Sequence, residues 1–346
     1  MSRQATFDRL LSQLETELQE IVCPSQPSLE SYYDMMRYHM GWLDENLQPI
    51  QRSGGKRVRP LICLLSNQMV GGDPHQALPA AAALELIHNF SLVHDDIQDR
   101  SPLRRGRPAV WTIWGTDHGI NVGDGLFVLA RLALHRLAER GVPLARQQAA
   151  FAALDRACLD LCEGQYFDMA FEDRLDVSLE QYLWMIRHKT ASLLSASARM
   201  GALLATDDAR LIDSLARFGE NLGLAFQIQD DILGTWGDPA ITGKSAATDI
   251  RDKKKTLPVV YVLNHPEERI SAWQLVDLYS QEEPLSDKDI QTTLAILERT
   301  GARPYAEEQA AHYYRLAMEA LRETGIENTA QSALCELAAS LLKRQA

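Results

Sequence analysis

Apolar residues recur along this chain at intervals of three and four, the spacing of helices that bury one face. Phe7, Leu10, Leu11, Leu14, Leu18 and Ile21 mark a first helix over Phe7–Ile21, which the two prolines of Cys23–Ser28 interrupt. The same spacing predicts helices over Leu29–Gln48, closed by Pro49, and over Arg59–Gln68, followed by a turn at Gly71–Pro74. Leu78–Asp99 is apolar on nearly every face, the pattern of a helix buried inside a bundle. Helices are expected next over Asn121–Arg140, Leu144–Phe171, Leu179–Leu204 and Ala209–Leu233. Trp236–Thr256, with its Gly, Pro and Lys residues, reads as a loop, and three or four more helices follow from Leu257. No run alternates convincingly with period two, and no repeat or Ser/Gly linker divides the chain. The pattern predicts an all-α fold, a single domain over residues 1–346 built as one large bundle of about a dozen helices.

Composition narrows the functions. Of 346 residues, 46% are hydrophobic and 24% charged, which excludes disordered and fibrous classes. The longest apolar runs, such as Ala80–Leu84 and Leu222–Phe226, fall far short of the roughly 18–20 residues of a membrane span. Met1–Ile21 lacks the apolar region of a signal peptide. A net charge of −12 argues against nucleic acid as a partner. Basic residues still gather at Lys56–Arg57–Arg59, Arg104–Arg105–Arg107 and Lys253–Lys254–Lys255, which suits small polyanions or metal-bound anions. Five cysteines without metal-ligand spacing point to the reducing cytosol, and Cys158 and Cys162, one helical turn apart, read as core residues.

Two acidic clusters carry the chemistry. Asp95 and Asp99 stand at i and i+4 at the end of the long apolar helix, about 6 Å apart along its axis, with Asp96 beside them. Carboxylates at a helix C-terminus oppose the macrodipole, and a bound cation relieves that cost. Hard oxygen ligands on a rigid helix suit Mg²⁺, which keeps positions open for substrate phosphate. Arg104 and Arg105 follow five residues later, and arginine forks hold phosphates. Taken alone, the carboxylates also fit a solvated, frayed helix end. The second cluster repeats the plan: Gln227, Asp230 and Asp231 end an apolar helix, with Lys244 and Lys253–Lys255 downstream. Two metal-capable clusters on apolar helices suit an anionic substrate with a long apolar tail.

Between Gly54 and about Tyr261 the sequence resembles the trans-isoprenyl diphosphate synthase (polyprenyl synthetase) family. The matching segments come in one order: Gly54 to Pro60, His88 to Asp99 with Arg104-Arg105-Gly106, Lys189-Thr190, Phe226-Gln227 with Asp230-Asp231, Gly243-Lys244, and Asp249 to Thr256. The resemblance implies a helical bundle around a central apolar cavity, and Asp95, Asp99 and Asp230 as main ligands of three Mg²⁺ ions, with Asp96 and Asp231 in support. Arg104, Lys189 and Lys254 would hold the allylic diphosphate, and Lys244 would help close over it. Lys56, Arg59, His88 and Arg105 would hold isopentenyl diphosphate, and the oxygens of Thr190 and Gln227 would stabilise the allylic cation. It implies a homodimer too, with the helix over Asn121–Arg140 a candidate interface. The cysteine usage suggests the cytoplasm, and no anchor or lipidation motif supports stable membrane attachment.

One departure stands out: the family's second motif usually carries a third aspartate where this chain has Gly234. A water or Asp238 could take its place, or the chain could be a non-catalytic prenyl diphosphate-binding subunit. A class I terpene cyclase shares the first motif, but its second site usually carries an Asn/Ser/Glu triad, which Asp230-Asp231 is not. Product length is read along the helix that ends in Asp95. Phe90 lies five residues upstream, about 7.5 Å along the axis, and Ser91 four upstream. In the family an aromatic at the fifth position alone accompanies C20 products, so the pattern resembles a geranylgeranyl diphosphate synthase, with farnesyl (C15) or longer products as alternatives.

Overall fold

The computed structural model describes residues 3–50, 55–237, 247–265 and 267–342. Their contacts divide them into two compact units, each helical.

The first unit comprises Met1–Arg156, Ala196–Leu215 and Ile326–Leu334. Its helices are α1 (Arg3–Ile21), α2 (Glu30–Met40), α3 (Val58–Met69), α4 (Pro74–Gln98), α5 (Val110–Trp114), α6 (Thr116–Glu139) and the start of α7 (Leu144–Glu172). Helix α4 packs along both α3 and α6, and its residues from Ala77 to Ile87 are all buried, as its all-round apolarity predicts. Asp73 caps it, accepting from the His75 N–H at 3.0 Å. The expected helix over Leu29–Gln48 is shorter. A 3₁₀ turn spans Pro27–Leu29, and α2 ends at Gly41, whose φ of 84° is the left-handed conformation that closes a helix. Helix α6 begins five residues earlier than its apolar spacing suggests, because its first turn is solvent-facing and shows no period. A two-residue hairpin, Leu103–Arg104 (β1) against Arg107–Pro108 (β2), turns through Arg105 and Gly106, both at positive φ.

The second unit comprises Ala157–Ser195, Ala216–Gly325 and Cys335–Ala346. The expected Leu179–Leu204 helix is three pieces. Helix α8 (Leu179–Ile186) opens with a Ser178/Gln181 capping box, a π-helical turn covers Arg187–Ala191, and α9 (Ser192–Leu203) follows, counted with the first unit from Ala196 on. The π turn holds Lys189 and Thr190, and such insertions recur at functional sites. Helix α10 (Ala209–Trp236) carries the second acidic cluster. The loop expected after Trp236 contains a short helix, α11 (Thr248–Arg251). Helices α12 (Leu257–Asn264), α13 (Arg269–Tyr279), α14 (Asp287–Arg299), α15 (Ala302–Glu323) and α16 (Thr329–Leu342) complete the chain. One core gathers Phe171, Tyr182, Leu224, Ile228, Ile232 and Val260, and a second gathers Ile250, Val262, Leu275 and Leu297. Among the described residues no helix is long and apolar enough to cross a membrane.

Candidate active site

In the first unit, α4 delivers the acidic cluster and the β1–β2 hairpin delivers the arginines. Asp95 is half-buried and Asp99 exposed, while Asp96 is buried. Asp96 does not stand among open carboxylates: its Oδ1 accepts from Nε and Nη2 of Arg104, at 2.8 and 2.5 Å, and its Oδ2 is buried without a hydrogen bond. Burial pushes the Asp96 carboxyl up, against the pull of Arg104.

Cations dominate the rest of this group. Burial lowers the Arg59 guanidinium to about 10, with Glu85 opposing the shift and Arg105 adding to it. Arg59 Nε is buried and makes no hydrogen bond. The Arg105 residue is exposed, yet partial desolvation of its guanidinium lowers it too; Glu85 opposes this, and Arg57 and Arg104 reinforce it. His88 and His39 are held neutral by burial and by the arginines around them. Gly55 lies against Arg105, where a Cβ would come 3.2 Å from Nη2. Lys56 is exposed beside this group in sequence. Arginines that lose affinity for protons together define a place where an anion is favoured, because an anion offsets both their desolvation and their mutual repulsion.

Arg57, grouped with these cations by sequence, has other work. It is 3% exposed and bonds Glu85 Oε1 at 2.7 Å and Glu15 Oε1 at 2.7 Å. Phe90 meets His94 and Phe127 edge-on, with ring centroids 5.2 and 5.3 Å apart. Ser91 is buried and donates to the His88 carbonyl at 2.9 Å.

In the second unit, Asp168, Lys189, Gln227, Asp230, Asp231, Asp249 and Lys254 are among the residues lining an open cleft. Thr190 stands beside Lys189 and donates its hydroxyl to Gln227 Oε1 at 2.7 Å; Gln227 Nε2 donates to Asp231 Oδ1 at 3.1 Å. Asp231 Oδ2 accepts from the Tyr182 hydroxyl at 2.5 Å and from the Leu257 N–H at 2.8 Å. The carboxylate thus fixes the amide of Gln227 with its oxygen toward Thr190. Thr190 spends its only proton on that oxygen, which leaves its hydroxyl oxygen as an acceptor. Burial raises the Asp231 carboxyl to about 7 despite its donors, and Asp249 adds to the rise. Lys189 Nζ pairs with Asp168 Oδ2 at 2.5 Å.

The lysine run divides. Lys254 is exposed at the cleft. Lys253 caps the carbonyls of Gln281 and Glu283. Lys255 is buried, donates to the Glu172 carbonyl at 2.7 Å and lies over the Tyr279 ring. Lys244 and Asp238 lie outside the described residues.

The order of these residues along the chain and their local geometry agree with a known family. The Polyprenyl synthetase family model matches residues 40–297. The chain belongs to the polyprenyl synthetase family. It is 37% identical over 335 residues to a (2E,6E)-farnesyl diphosphate synthase of Mycobacterium tuberculosis, covering 94% of this chain and 91% of that protein. It is 38% identical over 287 residues to a geranylgeranyl diphosphate synthase of the same organism, covering 83% of this chain and 80% of that protein. A crystal structure of a polyprenyl synthetase from Streptomyces coelicolor A3(2) matches with a TM-score of 0.89 at 34% identity, over 99% of this chain and 100% of that one.

Membership implies Mg²⁺, and the donor set fits it. The cleft of the second unit is lined by carboxylate oxygens with no thiol or imidazole among them, the hard-ligand chemistry that Mg²⁺ takes. The buried, unpartnered Oδ2 of Asp96 offers a further oxygen in the first unit. One group escaped the sequence reading: ligand atoms of Asp160, Glu163 and His188 lie within 4.8 Å of one another in the second unit. The i, i+3 spacing of the two acids on α7 was visible in the sequence; the approach of His188 was not.

Proposed function

We propose that this polyprenyl synthetase joins isopentenyl diphosphate to allylic diphosphates and that its main product is the C20 diphosphate. The observation that carries the reading is the Thr190–Gln227–Asp231 chain beside the carboxylates and lysines of its cleft. It combines anion-holding groups with oriented oxygens suited to a carbocation.

Asp95, Asp99 and Asp230 would hold three Mg²⁺ ions, with Asp96 and Asp231 in support. When bound, the metal neutralises charge that develops on the departing diphosphate. Lys189, Lys254, Arg104 and, beyond the described residues, Lys244 bind the same diphosphate by charge-assisted hydrogen bonds. Thr190 and Gln227 turn oxygen lone pairs toward the allylic carbon as its C–O bond breaks. Lys56, Arg59, Arg105 and neutral His88 hold isopentenyl diphosphate so that its double bond attacks that carbon. The proton then lost from the new chain passes to the released diphosphate. Apolar walls keep water from the cation.

Phe90, edge-on to Phe127 and His94, supports the C20 reading as the floor under the growing chain. A C15 product is the second reading, favoured by the farnesyl diphosphate synthase that aligns over 94% of the chain. We propose a cytosolic homodimer. Val128 and Leu132, 52% and 54% exposed on α6, support self-association through that helix, and the five free cysteines suit the cytosol.

Product sizing by mass spectrometry, with Mg²⁺, isopentenyl diphosphate and each allylic primer, tests the reading. A dominant C20 alcohol after dephosphorylation is expected, and Phe90→Ala is expected to lengthen it by at least one isoprene unit. A C15 product, or no change in Phe90→Ala, would refute Phe90 as the floor. No isoprene addition would refute the synthase.

A further inference from the structure

Two side-chain hydrogen bonds join the segment of α8 and its π turn to α10, and they land one helical turn apart. Thr190 donates to Gln227 at 2.7 Å, and Tyr182 donates to Asp231 at 2.5 Å. Thr190 lies eight residues beyond Tyr182, so in an unbroken α-helix the two would stand about 80° apart around the axis. The π turn over Arg187–Ala191 rotates the chain less per residue and brings Thr190 back toward the side from which Tyr182 reaches α10.

Tyr182 is 1% exposed, with its ring packed in the core formed by Phe171, Leu224 and Ile228. A buried phenol needs a partner for its hydroxyl, and here the partner is a carboxylate that is itself 5% exposed. Every bond of that carboxylate ties down something else. Asp231 Oδ2 also accepts from the Leu257 N–H at 2.8 Å, the first amide of α12, whose N-cap Thr256 offers it no side-chain bond. Asp231 Oδ1 accepts from Gln227 Nε2 at 3.1 Å. An ionised carboxylate only accepts, so Gln227 meets it with its NH₂ group and keeps its oxygen for Thr190. With the amide turned over, two oxygens would face each other at Asp231, and an NH₂ group would replace the oxygen that Thr190 now bonds.

We infer that Tyr182 is a positioning residue for the reaction: it holds Asp231, Asp231 holds the amide of Gln227, and that amide orients Thr190. Asp231 serves this relay rather than Mg²⁺, which leaves Asp230 as the metal ligand of the pair. The inference rests on the proposed function and deepens it, because it assigns the support given by Asp231 to the oxygens that face the allylic cation.

The test separates chemistry from binding. Single-turnover rates of isoprene addition report the first. Titration calorimetry of inorganic pyrophosphate at increasing Mg²⁺ reports the second, and retained binding shows that a variant is folded. Tyr182→Phe keeps the ring and should slow the single turnover by about 10–100-fold, the scale of a slightly misplaced reacting group, with pyrophosphate binding within about threefold of wild type. Gln227→Leu removes the amide, so adding Tyr182→Phe to it should slow the reaction by no more than about twofold further, whereas a purely structural phenol would cost the same in both backgrounds. In Asp231→Asn the side-chain oxygen stays with Tyr182 and the Leu257 N–H, which turns an NH₂ group toward Gln227 and reverses its amide. That variant should be slowed at least as much as Tyr182→Phe, yet keep Mg²⁺-dependent pyrophosphate binding, while Asp230→Asn weakens that binding by more than about tenfold. Wild-type turnover in Tyr182→Phe, its full cost in the Gln227→Leu background, or weakened pyrophosphate binding in Tyr182→Phe or Asp231→Asn would each overturn the inference. No isoprene addition by the wild type, with pyrophosphate still bound, would overturn the proposed function and the inference with it.

Discussion

The Arg57–Glu85 pair sits beneath the cations of the first unit and joins stability to anion affinity. Arg57 and Glu85 are 3% and 2% exposed, with Nη1 to Oε1 at 2.7 Å. Glu15 shares the guanidinium, and Asn89 Nδ2 donates to the same Glu85 oxygen at 3.0 Å. Arg57→Met keeps the apolar stem of the side chain but, among the described residues, leaves Glu85 with Asn89 as its side-chain donor. A buried charge stripped of its counterion costs about 3–5 kcal/mol. Glu85→Gln should cost less, about 2–3 kcal/mol, because Glu15 still holds Arg57 and a hydrogen bond to a charged group is worth about 1.5–3 kcal/mol. The double variant removes both charges, so its loss should fall at least about 1.5 kcal/mol below the sum of the singles, within the usual range for residues in contact. Urea unfolding followed by circular dichroism measures all four corners of the cycle. Glu85 also holds up the proton affinity of Arg59 and Arg105. Glu85→Gln should therefore tighten isopentenyl diphosphate binding as it loosens the fold. Losses that add within about 0.5 kcal/mol, or weaker isopentenyl diphosphate binding in folded Glu85→Gln, would refute the reasoning.

Buried neutral histidines make stability depend on pH in one direction. The folded values of His39 and His88 lie well below the ordinary 6.5, so the unfolded chain binds more protons as pH falls below about 6.5. Stability should be constant from pH 8 to 7 and fall from about pH 6.5 downward, with each histidine adding a slope of up to about 1.4 kcal/mol per pH unit. Urea midpoints of the wild type and of His39→Gln between pH 7.5 and 5 measure it, and an equal slope in the two proteins would refute the assignment to His39. Thr190→Val keeps shape but removes the oxygen that is proposed to stabilise the cation. It should lower kcat by about 10²–10³-fold, with KM for both substrates within about threefold of wild type. Steady-state kinetics decides, and a rise in KM at unchanged kcat would make Thr190 a binding residue instead.

Helical periodicity made the fold class legible, since α1, α3, α4, α7 and α10 bury the faces their apolar residues mark. It did not reveal the π turn at Arg187–Ala191, because five residues are too few to carry a period of their own. The early end of α2 was written in Gly41, which the apolar residues beyond it obscured. At the site, spacing marked Gln227 and Asp230 and the family resemblance added Lys189 and Thr190, and the structure places them around one cleft or in hydrogen-bond contact with its lining. What stayed hidden was pairwise: which cations are already occupied, as Arg57 and Lys255 are, and which partner each acid takes. Such pairings depend on approaches between distant segments, as with Tyr182 and Asp231 or Asp249 and Gly234, and no local pattern records them.

Two of the cations assigned to diphosphate enter the reaction already married to carboxylates. Lys189 holds Asp168 and Arg104 holds Asp96, each pair within its own unit. Such a cation is poised by its partner before any ligand arrives, which lowers the ordering cost of capture. Each new contact is then a swap of one anion for another rather than a fresh bond. The difference between two similar ion pairs is small, so under the proposed function diphosphate would be gripped less tightly than the number of basic groups suggests. A transferase that must eject diphosphate after every cycle gains turnover from that moderation.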